Sequence, residues 1–146
     1  SRWTRPGYRA AYTSESLSLA TLEIIVHGVS YITLKKYACI WAKIPDEIIA
    51  TLSISQLPDN WREDPPSPLL QQIGNDWIQT ASSCVLRVPS AVIPIEYNYI
   101  INPTHADFSR IEIGDAETWS MDNRLATSNI IKIRQNQTTT GDMKRN

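Results

Sequence analysis

Apolar residues crowd the stretch from Leu17 to Val29, and the polar positions inside it recur at a helical spacing. At about 100° per residue, Leu17, Leu19, Ala20, Leu22, Ile24, Ile25 and Val26 spread round almost the whole circumference, while Ser16, Glu23, His27 and Ser30 gather in one stripe roughly 60° wide. The pattern predicts a largely buried helix over residues 16 to 34, capped by Ser14 or Ser16, with one narrow polar seam. Such a seam either faces water or lines a cleft. In a cleft, Glu23 needs a cation or a hydroxyl-rich ligand, because a carboxylate taken out of water without a partner costs several kcal/mol.

The rest of the chain alternates short β-like runs with one further helix. Residues 9 to 12 read as a strand feeding the first helix, and "CIWAKIP" (39 to 45) and "IIATLSIS" (48 to 55) read as two more. "LPDNWREDPPSP" holds four of the nine prolines and reads as a surface loop. It delivers a second helix, "SPLLQQIGNDWIQT", with Ser67 as cap and Pro68 in the first turn, which Gly74 is expected to weaken and shorten. "SSCVLRVPSAVIPIEYNYIINP" reads as two strands broken near Pro89 and Ser90, and "RIEIGD" as another. Strands scattered among two or three helices predict an α+β fold with a mixed or antiparallel sheet and no regular βαβ array. Beyond Leu125 only "IIKI" is apolar before a polar tail expected to be disordered.

Composition narrows the function. A chain of 146 residues, 42% hydrophobic, fits one domain with a real core. A net charge of −1 and an isoelectric point near 6.1 supply no positive field for nucleic acid or anionic membrane, so phosphate chemistry must rest on a few placed arginines. No apolar run approaches the ~20 residues that span a bilayer, and no signal-peptide pattern is present. Cys39 and Cys84 lie outside any CxxC spacing, as reduced thiols of a cytoplasmic protein do. The chain starts at Ser1 without an initiator Met, as a chain lacking its natural N-terminus would.

Two histidines, His27 and His105, lack a third ligand at metal spacing, so no metal is expected. GxSxG, P-loop and GxGxxG motifs are absent. What remains is a thin set of polar residues at element ends: Arg2, Tyr12, Glu23, Ser90, Asn98, Asn102, and Asp122 with Arg124. Each has an ordinary structural alternative, such as a turn former at Ser90, a strand-end turn at Asn102 or a weak surface ion pair at Asp122.

Taken in order, these residues and their neighbours resemble the RES domain family, toxins of bacterial toxin–antitoxin pairs named for an Arg, a Glu and a Ser. "SRWT" at 1 to 4 is similar to the family's Gly-Gly-Arg-Trp-Asn element, with Ser1 for the second Gly and Thr4 for Asn. "YTSES" followed by "LATLE" resembles the Tyr-rich strand end and the helix bearing the Glu, which places it at Glu23. "LPDNW", "GNDW", "VPSAVIP", "NYIINPTHADF" and "DNRL" continue the pattern, and the family Ser falls on Ser90. The resemblance covers residues 1 to 125 as a RES domain and leaves 126 to 146 as the tail. Family members carry a further N-terminal strand and arginine, which this chain is expected to lack.

The resemblance implies an ADP-ribosyltransferase-like fold and cleavage of the nicotinamide–ribose bond of NAD+, by phosphorolysis or hydrolysis. Glu23 and Arg2 would be catalytic. Arg2, Tyr12, Glu23 and Ser90 would bind NAD+, with Arg2 on the pyrophosphate, Tyr12 against nicotinamide or ribose, and Ser90 donating a hydrogen bond within the pocket. Implied partners are inorganic phosphate, a helix-turn-helix antitoxin of Xre type, and a second copy in a homodimer. Trp41, Trp61, Trp77 and Trp119 exceed what a small core needs, so part of them is expected at an interface. Two other readings use the same residues: an ADP-ribosyltransferase acting on a protein, and an inert truncated domain that only binds an antitoxin.

Overall fold

The computed structural model describes residues 1–29, 31–34, 36–120 and 122. Strand β1 (Ala11–Ser14) runs into helix α1 (Leu17–Val26) and a single helical turn, α2 (Tyr31–Leu34). Short strands β2 (Ala38–Cys39), β3 (Ala42–Lys43) and β4 (Ile49–Thr51) precede helix α3 (Pro68–Thr80). Strands β5 (Val85–Pro89), β6 (Tyr97–Ile101), β7 (Glu112–Ile113) and β8 (Glu117–Thr118) complete the series. The fold is α+β. Its main sheet is mixed, in the order β1-β6-β5-β4, antiparallel except for the parallel pair β4 and β5, which α3 connects. Two small ribbons, β2 with β8 and β3 with β7, flank it.

The predicted first helix is cut short. Ser16 caps it, its Oγ accepting from the Leu19 amide at 3.1 Å, but His27 ends it and Gly28 follows at φ 80°. A left-handed residue after the last helical turn closes the final carbonyls and suits glycine, so this local stop outweighs the apolar run that continues past it. The helix is also less buried than its composition predicts: Leu19 is its one fully buried residue, while Leu17 and Val26 are about half exposed. Its flanks border cavities on both sides of edge strand β1, not a continuous core. Ser30 lies outside the described residues, as do Arg124, the "IIKI" patch and the tail.

Helix α3 is longer than Gly74 suggested, at 13 residues. A Cβ on Gly74 would sit 1.9 Å from the carbonyl oxygen of Trp3. The glycine is therefore a contact point, where the N-terminal segment crosses the helix, and the packing it allows outweighs its poor propensity. Buried Asn75 accepts from the Arg5 amide at 3.2 Å, and Gln71 donates to the Ser1 carbonyl at 3.0 Å. Three successive positions on one face of α3 thus fix residues 1 to 5.

Apolar layers cover both faces of the main sheet. Trp3, Trp61, Leu70 and Trp77 pack on Leu86, Val88 and Ile100; Ile48 and Ile111 pack on Cys84, Val85 and Ile101. Three of the four tryptophans expected partly at an interface, Trp61, Trp77 and Trp119, are instead core, and only Trp41, 51% exposed, remains on the surface. The predicted run 39 to 45 splits into β2 and β3 because each pairs with a different return strand. Among the described residues no helix is long and apolar enough to cross a membrane.

Candidate active site

Glu23 lies in the middle of α1, half-buried, and one of its oxygens is doubly held. Oε1 accepts from Ser90 Oγ at 2.8 Å and from Asn98 Nδ2 at 2.6 Å. Among the described residues nothing donates to Oε2. The two donors come from adjacent strands: Ser90 directly follows β5 and Asn98 belongs to β6, where the register sets Val88 opposite Asn98.

Ser90 is fully buried and its hydroxyl is committed. Its Oγ accepts from the Val92 and Ile93 amides at 3.1 and 3.0 Å, so its one proton is left to point at Glu23. The hydroxyl is thus a donor, as the resemblance implies, and its acceptor is the Glu23 carboxylate. Ser90 stands behind Glu23, because the turn after Pro89 folds its own amides onto the hydroxyl.

Arg2 is anchored at one end only. Its Nη1 donates to the carbonyls of Trp61 and Glu63 at 2.8 and 2.9 Å. A guanidinium has five N–H donors, so Nε and Nη2 keep three, and among the described residues none is taken. That edge is the fork that matches phosphate or carboxylate bidentately. Tyr12 presents its ring to solvent, while its hydroxyl meets Thr4 Oγ1 at 2.6 Å and Ser1 Oγ at 2.5 Å.

Arg2, Tyr12 and Glu23 line one cavity of about 570 Å³, together with His27, Asp64 and Asn98 and an apolar wall of Trp3, Ile24, Val26 and Val92. The structure therefore brings three of the four sequence-derived residues to the surface of one pocket and sets the fourth behind it. In the sequence Asn98 stands out only as one of two asparagines bordering an apolar strand, and no role comes with it. His27 lies one turn after Glu23, as the seam predicts. Asp64 carried no signal, since the proline-rich loop that brings it to the rim has no periodicity to read.

A second cavity of about 660 Å³ lies across α1. Its charged lining residues are Glu15, Asp46 and Glu117, with no cation among the described residues, so it is unsuited to a pyrophosphate. The other flagged residues are structural. Asn102, buried, accepts from the Thr104 amide and hydroxyl in the turn after β6. His105 caps the following 3-10 turn through the Asp107 amide, and its Nε2 meets the Ala81 carbonyl. Cys84 is buried and Cys39 partly exposed, both free.

The family model described as "RES domain" matches residues 1–122. Among curated proteins, one named Toxin Res from Yersinia enterocolitica is 38% identical over 107 residues, covering 73% of this chain and 70% of its own length. A Toxin Res from Photorhabdus laumondii is 38% identical over 109 residues, covering 75% and 70%. A protein named Prs ADP-ribosylating toxin, from Sphingobium, is 31% identical over 128 residues, covering 85% and 79%. With the matched region spanning the whole described sheet and both sides of the Glu23 pocket, this chain belongs to the RES domain family.

Proposed function

We propose that this protein is an enzymatic toxin that breaks the nicotinamide–ribose bond of NAD+ and passes ADP-ribose to phosphate or water. The observation that carries the reading is one apolar-walled cavity holding both a carboxylate, Glu23, with an oxygen that no described residue engages, and a guanidinium, Arg2, with a fork that none engages. NAD+ has matching parts. Its pyrophosphate takes the fork, and its ribose, which becomes cationic as the bond breaks, takes the carboxylate.

The chemistry asks little else of the protein. Nicotinamide leaves as a neutral ring from a cationic nitrogen, so no general acid is needed, and the barrier lies in the oxocarbenium-like charge on the ribose. A fixed carboxylate in a site walled by Ile24, Val26 and Val92 stabilises that charge more in the transition state than in the ground state. Tyr12, its hydroxyl tied to Thr4 and Ser1, offers a ring face of fixed orientation for nicotinamide or ribose.

The name of the Sphingobium relative favours a second reading, in which the acceptor is a protein side chain. The same residues serve both. In either reading the toxin is held in check by an antitoxin, in this proposal a helix-turn-helix protein of Xre type. The test is incubation of the purified protein with NAD+, with and without inorganic phosphate. Free nicotinamide with ADP-ribose or its phosphate supports cleavage; a protein heavier by one ADP-ribose supports transfer; no nicotinamide release overturns both.

A further inference from the structure

Resting on the reading of Glu23 above, we propose that Ser14 and Asn98 form a positioning pair that fixes which oxygen of Glu23 meets the substrate. The two residues face each other across the β1–β6 ladder, and Ser14 Oγ donates to Asn98 Oδ1 at 2.6 Å. Asn98 in turn donates to Glu23 Oε1 at 2.6 Å.

Every bond in this chain has one allowed direction. A carboxylate only accepts, so the NH2 end of the Asn98 amide must face Glu23 and its carbonyl end must face Ser14, which then has to donate. From the other side, the Val92 and Ile93 amides force Ser90 to donate to the same Oε1. Two donor chains from different strands therefore converge on one oxygen and leave the other for a ligand. Without Asn98, Ser90 alone would leave the carboxylate free to swing about its terminal torsion, which is broad and roughly two-fold. A group held within a few tenths of an ångström of its working position is what electrostatic stabilisation of a transient charge requires.

Ser14 belongs to this pair for a geometric reason. Ser14 stands directly opposite Asn98 in the antiparallel ladder, which sets both side chains on one face of the sheet, and the same strand leads within three residues to the start of α1. The serine thus links the position of the helix that carries Glu23 to the orientation of the amide that holds it.

The experiment compares wild type with Ser14→Ala, Asn98→Ala and Asn98→Asp. One readout needs no activity: the Asn98 side-chain amide resonance, assigned by its loss in Asn98→Ala. The pair requires this resonance to move in Ser14→Ala and in Glu23→Gln; an unmoved signal in the folded Ser14→Ala protein overturns it. The second readout is nicotinamide release. Asn98→Ala is expected to lower kcat about 10- to 100-fold with KM within about threefold, as loss of a hydrogen bond to a charged group would. Asn98→Asp sets a like charge against Glu23, so the acid limb of its pH–rate profile moves to higher pH. An unchanged profile in the Asp variant overturns the pair even if Ala is merely unstable. A wild type that releases no nicotinamide overturns the function proposed above, while the amide resonance still decides the pair.

Discussion

Glu23 and Ser90 are 67 residues apart in sequence and share a 2.8 Å hydrogen bond in which the serine can only donate. Removing the donor has two costs. Ser90→Ala strips one bond from the Glu23 carboxylate and orphans the Val92 and Ile93 amides, so stability is expected to fall by roughly 1–3 kcal/mol along with a drop in turnover. Thermal unfolding and nicotinamide release on the same variant check this. A fully active, fully stable alanine variant would show that the turn after β5 does not depend on its serine.

Arg2 is expected to act through binding. Arg2→Ala should weaken NAD+ affinity by about 10- to 100-fold while saturated turnover changes less, because a pyrophosphate grip is much the same in ground and transition states. Arg2→Lys should not restore affinity, since an ammonium lacks the fork that Nε and Nη2 provide. Calorimetry with NAD+ separates these outcomes.

Gly74→Ala tests how the N-terminal segment is held. The added methyl would meet the Trp3 carbonyl, so the segment carrying Arg2 must shift, at a cost of roughly 1–3 kcal/mol. The expected result is a lower melting temperature together with weaker NAD+ binding, although residue 74 touches no ligand. In an ordinary exposed helix the same change would stabilise by nearly 1 kcal/mol.

Burial pushes the Cys84 thiol above its ordinary value, and the Asp107 carboxylate adds to the effect. A thiol that stays protonated in the folded chain but ionises in the unfolded one has no effect below the ordinary thiol value. Above it, stability is lost as pH rises towards the folded value. Unfolding measured between pH 7 and pH 10 should therefore decline more steeply in wild type than in Cys84→Ala, and Cys39, partly exposed, should be alkylated first.

Glu23 was legible because a carboxylate among Leu, Ile and Val is costly wherever it is buried, and that cost is visible in one segment. The α+β class was legible from the spacing of short β-like runs, which leaves a mixed and an antiparallel sheet equally open; the parallel pairing of β4 with β5 decides for mixed. The apolar run predicts too long an α1, because the left-handed backbone at Gly28 closes the helix while apolar content continues past it. Gly74 reads in sequence as a local weakness because its reason sits at Trp3, far along the chain. Asn98 is visible as a polar residue bordering an apolar strand, but its partner Ser14 depends on strand register, which no single segment encodes. Ser90 is legible as a polar residue at a strand end, and as the family serine by resemblance, but only the backbone amides after it reveal why its hydroxyl has one direction left.

The central claim is that the negative charge of Glu23 stabilises a cationic ribose. Glu23→Gln preserves size, helix propensity and most hydrogen-bonding atoms while removing that charge. The direct measurement is nicotinamide release from NAD+ by wild type and Glu23→Gln, with NAD+ affinity and melting temperature taken on the same samples. The account predicts affinity within a few-fold, an unchanged fold, and turnover lower by about 10²-fold or more, equivalent to roughly 3 kcal/mol of transition-state stabilisation. An unchanged release rate in the glutamine variant would contradict it and reduce Glu23 to a polar residue on a helix seam.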